Sequence, residues 1–306
     1  MKKFAPLFIV IAAVLWGVDG IVLTPRLFTL PVPLVVFLNH VLAFVLMLPF
    51  FIYEFKEVKK LKSGDWGAFM WIAVFGGAVG TMAIVKALFY VNFVNLSIVI
   101  LLQKFQPIFA IVLAWLVLKE RLSKKFFTWA ALALIGGYFV TFGFHLPNLA
   151  TGDKIVAAAL FSLLAAFAFG SATVFGKRGL KNINARVGTY LRFGLTSVIM
   201  LLIVLTTGDL AQLPNVSSFQ WLIFLIIVLT TGGTAIFIYY WGLKWVSASV
   251  STICELAFPL SAIILEYLIR GRALSWSQWL GAVLLGYAIY RVARFQESAA
   301  LTPEKL

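Results

Sequence analysis

The sequence predicts an all-α integral membrane protein, and its composition and its apolar runs are the two observations that predict it. Of the 306 residues, 62% are hydrophobic and only 12% are charged, and the mean hydropathy is +1.02. A soluble domain typically has about a quarter of its residues charged. Here the charge clusters are separated by apolar runs of about 20 residues, the length of helix that crosses a hydrocarbon core roughly 30 Å thick.

Ten such runs predict ten transmembrane helices. The connections between them are short, so we expect neighbours in the sequence to be antiparallel. The first run follows Lys2 and Lys3 and lacks a small-x-small cleavage site before the next run, which predicts an uncleaved first helix. The predicted spans are residues 5–24, 33–53, 66–90, 95–118, 126–144, 155–176, 187–207, 219–241, 248–269 and 276–293.

The excess of basic residues predicts the orientation of the helices. A formal net charge of +14 could also indicate a nucleic-acid partner. With the N-terminus in the cytoplasm, however, most lysines and arginines fall in the inner loops, and few, such as Arg26 and Lys154, fall outside. This asymmetry is the positive-inside rule. We therefore expect a multi-pass protein of the cell (cytoplasmic) membrane, surrounded by lipid, with both termini cytoplasmic and no nucleic-acid partner.

Two stretches of the chain resemble each other and predict an internal repeat. QKFQPIFAIVLAWLVLKERLS at residues 103–123 aligns with ELAFPLSAIILEYLIRGRALS at residues 255–275. In this alignment Pro107 matches Pro259, and further pairs match at the same offset. Chance similarity among leucine-rich helices is the alternative, which the several matched pairs make weaker.

Five helices in each copy would make the repeat inverted, because an odd number of crossings turns the second copy over. The sequence therefore predicts ten transmembrane helices as two inverted five-helix repeats around a central cavity, residues 1–150 and 151–306. Inverted repeats are typical of secondary transporters, which bind their substrate near the membrane midplane between the two halves.

Three features of the sequence also resemble a known family. They are LWG at residues 15–17, LLQKFQPIFAIVLAWLVLKERLS at residues 101–123, and the glycine-rich ends of the fifth and tenth spans. The chain resembles the EamA-type proteins of the drug/metabolite transporter superfamily, and the resemblance covers essentially its whole length. It implies a ten-helix carrier that more often exports than imports, but it specifies no substrate.

Lys104 and Glu255 are the ionisable residues that the sequence predicts deep in the membrane. A charge at the bilayer centre costs roughly 2.5–3.5 kcal/mol on insertion scales, so each is a candidate functional residue. At a rise of roughly 1.5 Å per residue, Lys104 lies about 14 Å below the outer surface and Glu255 about 10 Å above the inner one. Under the repeat, Glu255 matches Gln103, the neighbour of Lys104. We therefore predict that these three residues bind the substrate.

Two prolines predict a loosened helical turn beside these residues. Proline cannot donate a hydrogen bond to the carbonyl four residues earlier, so Pro107 would free the carbonyl of Gln103 and Pro259 that of Glu255. Irregular backbone within a membrane is tolerated only where it is buried in protein or lines a watery cavity. Both turns are therefore expected to line the central cavity. The alternative is that Glu255 and Lys104 form a buried structural ion pair with no role in substrate binding.

Five further residues are predicted to bind substrate because they share helix faces or lie one turn from Glu255, on helices that line the pocket in the resembling family. They are Lys86 and Tyr90 in the third span, Trp16 and Asp19 in the first, and Ser251 in the ninth.

Other polar and aromatic residues are given simpler interpretations. We expect Arg192 to extend to the cytoplasmic face and His40, with Asn39, to make hydrogen bonds between helices. The run YYWGLKW at residues 239–245 could form an aromatic cage for a cation, but an interfacial aromatic belt is the preferred interpretation.

The sequence thus predicts a secondary transporter of small organic metabolites, amino-acid-like or otherwise zwitterionic or charged, that exports them by alternating access. Two histidines far apart and a single cysteine predict neither a metal centre nor a catalytic set, and no cofactor is expected. Asp19 and Glu255 could carry a coupling proton, with facilitated diffusion as the alternative. We expect a monomer or a weak homodimer. A membrane-embedded enzyme, a channel and a receptor are the rival classes.

Overall fold

The computed structural model describes residues 4–91, 97–146, 153–271 and 273–300. Within these ranges every regular element is helical, as the sequence predicts. The α-helices are α1 (Ala5–Val18), α2 (Val32–Val58), α3 (Ser63–Trp71), α4 (Gly80–Tyr90), α5 (Ser97–Gln103), α6 (Gln106–Leu118), α7 (Lys124–Phe142), α8 (Asp153–Gly179), α9 (Ala185–Thr207), α10 (Ser218–Leu229), α11 (Gly233–Trp245), α12 (Ala248–Cys254), α13 (Ala257–Arg270) and α14 (Trp276–Ala300). Two π-helical segments, Asp19–Leu23 and Ile72–Val79, and two 3-10 segments, Thr24–Leu27 and Asp209–Asn215, join or extend them.

Nine helical stretches of the described residues are long and apolar enough to cross a membrane, and they match the first nine predicted spans with ends shifted by a few residues. The predicted tenth span forms α14, which is a continuous helix but is less apolar, because its second half contains Arg291 and Arg294. The nine stretches are Ala5–Leu27, Val32–Val58, Ser63–Tyr90, Val99–Leu118, Lys124–Phe142, Lys154–Gly179, Ala185–Thr207, Ser218–Trp245 and Ala248–Ile269.

Two spans are interrupted where the prolines predict it. α5 ends at Gln103, α6 begins at Gln106, and the corresponding interruption lies between α12 and α13 at Glu255. The predicted free carbonyl at Glu255 is wrong, because the backbone N–H of Phe258 donates to that oxygen at 3.0 Å. The turn after Glu255 tightens and so satisfies the carbonyl that Pro259 cannot reach.

A third span is interrupted at a place that the sequence analysis did not identify. α10 and α11 are separated by residues 230–232, Thr-Thr-Gly, inside the predicted span 219–241. The backbone of Thr230 leaves helical geometry, with φ −125° and ψ −77°, and the N–H of Gly232 reaches back to the carbonyl of Ile227 at 2.6 Å. Thr231 thus lies outside regular helix, as Lys104 and Glu255 do.

Glycines allow several helices to approach closely. In the π-helical segment Ile72–Val79, a β-carbon at Gly76 would lie 2.6 Å from the β-carbon of Ala172 on α8. On α14, a β-carbon at Gly281 would lie 2.5 Å from the backbone nitrogen of Val140 on α7. The α7–α14 pair therefore depends on backbone-to-backbone contact.

We expect the substitution Gly281→Ala to destabilise the protein, because an added methyl group there meets backbone that cannot move away cheaply. Overpacking of this kind typically costs about 1–3 kcal/mol. Gly286→Ala on the same helix is the matched control, since nothing lies within 4 Å of its added β-carbon. Thermal unfolding in detergent should show a lower Tm for G281A only. Equal melting of the two variants would contradict the close α7–α14 contact.

Candidate functional site

The three interruptions surround one cavity of about 420 Å³. Ligand pockets are roughly 300–1,000 Å³, mostly apolar, with a few polar groups that converge on the ligand. This cavity has the same mostly apolar character, and residues from α1, α2 and α4 to α13 line it. Its aromatic lining consists of Trp16, Phe169, Phe193, Tyr239 and Phe258.

Unpaired polar atoms converge on this cavity. Buried polar groups in proteins almost always have a hydrogen-bond partner. In the described part of the chain, each buried side-chain polar atom without a partner belongs to a residue that lines the cavity. These atoms are Asn39 Oδ1, Lys104 Nζ, Arg192 Nε, Thr231 Oγ1 and Thr252 Oγ1.

Glu255 lies at the centre of a hydrogen-bond network in the cavity wall, where its side chain is 7% exposed. Its Oε1 accepts from the hydroxyls of Tyr239 at 2.8 Å, Ser251 at 3.1 Å and Thr173 at 3.3 Å. Its Oε2 accepts from the amide of Gln106 at 2.5 Å. The carboxylate thus holds together side chains from α6, α8, α11 and α12. Ser251 is fully buried behind Glu255 and reaches the site through it.

Lys104 lines the same cavity but has no partner. Its side chain is 7% exposed and passes beside Gly137 of α7, where an added β-carbon would lie 3.8 Å from Lys104 Cε. The ion pairs found among the described residues are Lys60–Glu57 and Arg186–Glu54, both away from the cavity. The structural ion pair of Lys104 and Glu255, the alternative that the sequence leaves open, is therefore not formed.

Three more of the predicted residues line the cavity. Gln103 donates from its amide to the carbonyl of Ser162 at 2.6 Å. Trp16 packs against Tyr239, with ring centroids 5.2 Å apart. Asp19 begins the π-helical segment after α1 and accepts from the hydroxyl of Thr24 at 3.1 Å.

Lys86 and Tyr90 are not brought to the cavity. They share a face of α4 as predicted, with Lys86 Nζ 5.2 Å from the centroid of the Tyr90 ring. That face turns toward α8, because Tyr90 stacks on Phe161 at 5.9 Å, and Lys86 is exposed. The i,i+4 spacing predicts which residues lie together, but not which way an apolar helix turns its face.

Arg192 is the main residue that sequence reasoning missed. It does not extend to a membrane face: it is 8% exposed and lines the cavity. One terminal nitrogen donates to the carbonyl of Gly76 at 3.0 Å and the other to the hydroxyl of Tyr240 at 3.4 Å. His40 also lines the cavity, but its Nδ1 is bonded to Val36 O of its own helix at 2.8 Å.

The aromatic-belt interpretation of residues 239–245 is wrong for its first two members. Tyr239 and Tyr240 are 3% and 0% exposed, and Tyr239 lines the cavity. Both tyrosines belong to the hydrophobic core, a placement that the sequence pattern alone did not indicate.

The comparisons with known proteins agree with a transport role. The model of the EamA-like transporter family matches residues 3–142 and again residues 156–294. The chain belongs to the EamA-like transporter family. It is therefore a multi-pass membrane transporter, and membership of a transporter family, rather than of an enzyme family, agrees with the sequence analysis.

Individual known proteins resemble this chain along most of its length. The riboflavin transporter ImpX of Fusobacterium nucleatum subsp. nucleatum is 51% identical over 289 residues, which cover 94% of this chain and 97% of that protein. An uncharacterized transporter of Bacillus subtilis is 29% identical over 285 residues, 91% of this chain and 90% of its own. A solved crystal structure, 15% identical, superposes with a TM-score of 0.72 over 96% of this chain and 99% of the other, which supports the fold alone.

Proposed function

We propose that this chain transports riboflavin, or a flavin that closely resembles it, by alternating access. The observation that carries the proposal is the convergence of unpaired polar atoms on one aromatic-lined cavity. The riboflavin transporter of Fusobacterium, 51% identical over almost its whole length, supports a flavin as the ligand.

The chemistry of riboflavin suits the lining of the cavity. Riboflavin combines a flat fused-ring system with carbonyl oxygens and a flexible polyhydroxyl chain. Flat rings pack well against aromatic side chains such as Trp16 and Phe258. Carbonyl oxygens accept hydrogen bonds, which the unpaired amine of Lys104 can supply. The hydroxyls can pair with the remaining unpaired donors and acceptors.

A small zwitterion, the substrate class that the sequence predicts, is the second candidate. It is favoured by the presence of Lys104 and Glu255 in the same cavity. A substrate amine would, however, have to compete for a carboxylate that already accepts four hydrogen bonds. The flavin is therefore the better proposal.

The helix contacts support a two-fold arrangement of two five-helix units, residues 1–150 and 151–306. When α14 is counted as the tenth span, span 1 packs on spans 8 and 9, and span 6 packs on spans 3 and 4. Span 2 packs on span 7, and span 5 on span 10. A shift by five spans converts each of these pairings into another of them or into itself. We propose ten transmembrane helices in two inverted repeats, with the cavity between them.

Counterflow into proteoliposomes tests the proposed transport. We expect vesicles loaded with unlabelled riboflavin to accumulate labelled riboflavin transiently, because a carrier exchanges substrate across the membrane. Protein-free vesicles are the control, and a mixture of amino acids in place of riboflavin tests the second candidate. Exchange of amino acids but not of riboflavin would overturn the flavin proposal.

The same vesicles test proton coupling, for which Asp19 and Glu255 are the candidate acids in the lining. We propose proton-linked exchange, so an imposed pH gradient should change the initial rate of riboflavin uptake. Dissipation of the gradient with a protonophore should restore the original rate. An initial uptake rate that does not change with the pH gradient would instead indicate facilitated diffusion. The predicted export direction can be measured in parallel as efflux against uptake.

Cysteine labelling tests the proposed orientation, in which both termini face the cytoplasm of the cell. Cys254 is fully buried, so new cysteines can be introduced into the natural chain. We expect a cysteine at Thr29 to react with an impermeant maleimide applied to whole cells, whereas cysteines at Lys62 and Lys181 should react only after lysis. All three side chains are exposed in the structure. Labelling from outside of the cysteine introduced at Lys62 would show that the topology is the reverse of the one proposed.

A further inference from the structure

One wall of the cavity has a polar character that the predicted site does not include. Asn39 of α2, Arg192 of α9 and Thr231 between α10 and α11 all line it. These elements pack on one another: α2 contacts α9 and α10, and α11 contacts α9 and α10. The three residues therefore lie on one side of the cavity. Lys104, which lies between α5 and α6, is on another side.

Each of these residues presents a buried polar atom without a partner. Thr231 is 1% exposed, and its hydroxyl has no hydrogen bond. Arg192 is 8% exposed and its Nε is unpaired, although its two terminal nitrogens are held by Gly76 and Tyr240. Asn39 leaves its Oδ1 without a donor. No protein group in contact with these atoms accounts for them, so a ligand is the expected partner.

The unpaired atoms include both hydrogen-bond donors and acceptors, which limits the chemical groups of a ligand that can pair with all of them. Nε of arginine can only donate, the side-chain oxygen of asparagine can only accept, and a threonine hydroxyl can do both. An anion would satisfy the donor but leave the acceptor unpaired. An aliphatic chain would satisfy none of them. Alcohol groups both donate and accept, so a chain of several hydroxyls can pair with all three atoms.

We propose that Asn39, Arg192 and Thr231 form a subsite for the polyhydroxyl chain of the flavin. The flat ring then lies toward Lys104, in the rest of the cavity. This inference rests on the proposed function. The new element is that different residues recognise the hydroxyl chain and the ring. Substitutions should therefore weaken the binding of one part of the flavin without weakening the binding of the other.

Comparison of two ligands, riboflavin and lumiflavin, distinguishes binding at the subsite from binding in the rest of the cavity. Lumiflavin has the ring system of riboflavin but a methyl group in place of the hydroxyl chain. We expect the purified natural protein to bind riboflavin more tightly than lumiflavin, as measured by quenching of flavin fluorescence. Thr231→Val should weaken riboflavin binding about three- to tenfold, the loss of one hydrogen bond. It should leave the Kd of lumiflavin unchanged.

The neighbouring Thr230→Val is the matched control. The hydroxyl of Thr230 donates to Ile226 O at 2.5 Å, and its side chain is exposed and outside the lining. This variant should bind both ligands as the natural protein does. Asn39→Leu is a second test of the subsite and should also weaken riboflavin selectively, whereas Lys104→Met should weaken both ligands.

The outcomes separate the subsite from the proposed function. If T231V and N39L weaken riboflavin and lumiflavin equally, or weaken neither, the polyol subsite is wrong while flavin binding stands. Equal affinity of the natural protein for the two flavins would overturn the subsite in the same way. If the natural protein binds neither flavin, the proposed function itself fails. Because the Thr231 hydroxyl has no hydrogen-bond partner, T231V should have the same Tm as the natural protein. An unchanged Tm would exclude misfolding as the cause of weaker binding.

Discussion

Replacement of Lys104 by methionine should reduce riboflavin transport at least tenfold and at the same time raise the Tm of the ligand-free protein. The amine is buried and has no hydrogen-bond partner. In the ligand-free protein, the free-energy cost of its desolvation is therefore not offset by any hydrogen bond. Methionine has a similar length and no charge, and it removes that cost. A hydrogen bond from a charged donor to the ligand contributes about 1.5–3 kcal/mol, which corresponds to a ten- to hundredfold loss of binding.

Lys86→Met is the matched control for this prediction. Lys86 is exposed on α4 and outside the lining, so K86M should keep normal counterflow. Counterflow in proteoliposomes and thermal unfolding in detergent, with and without riboflavin, are the measurements. Normal transport by K104M, or a loss of transport by K86M instead, would contradict the placement of Lys104 at the ligand.

The sequence was sufficient to predict most of the membrane architecture. Hydrocarbon thickness sets the length of an apolar run, so nine of the predicted spans recur among the described residues within a few residues at each end. Proline chemistry predicted the interruptions at Gln103 and Glu255. The interruption at Thr231 was not predicted, because threonine and glycine are common inside membrane helices and do not by themselves end one.

The depth of a site residue could be predicted, but not its partners. Helical rise gives the level of Lys104 and Glu255, and both line the cavity as expected. The alternative of a direct ion pair between them is not formed, and helical rise could not decide this because it gives no direction around the helix axis. The groups that reach Glu255, Tyr239 and Thr173 among them, come from α8 and α11, and only helix packing brings these together.

Arg192 shows a second reason why the site was incompletely predicted. Its distance from the cytoplasmic face suggested that it extends to that face. In the structure it is retained by the carbonyl of Gly76, in the π-helical segment Ile72–Val79. π-Helical turns are rare and often occur at functional sites, and neither glycine content nor hydropathy predicted one here.

Replacement of Glu255 tests the hydrogen-bond network in the cavity wall. Two substitutions distinguish the role of its charge from the role of its hydrogen bonds. Glutamine can still offer one oxygen to the hydroxyls of Tyr239, Ser251 and Thr173. Its amide can pair with Gln106 if the amide of that residue rotates to present its oxygen. Leucine offers no acceptor and removes the shared partner of these four side chains. Each donor that finds no other acceptor, such as the amide of Gln106, costs about 1–3 kcal/mol.

We therefore expect E255Q to fold with nearly the natural Tm and E255L to lose much of its thermal stability. Both should lose uptake driven by a pH gradient at least tenfold, E255L because its cavity wall is no longer held together and E255Q because the titratable carboxyl group is absent. If the charge serves proton coupling, E255Q should retain counterflow while its uptake no longer responds to a pH gradient. A fully active, pH-responsive E255Q would show that Glu255 acts only as a hydrogen-bond acceptor. A stable and active E255L would contradict any role for this network in the transport site.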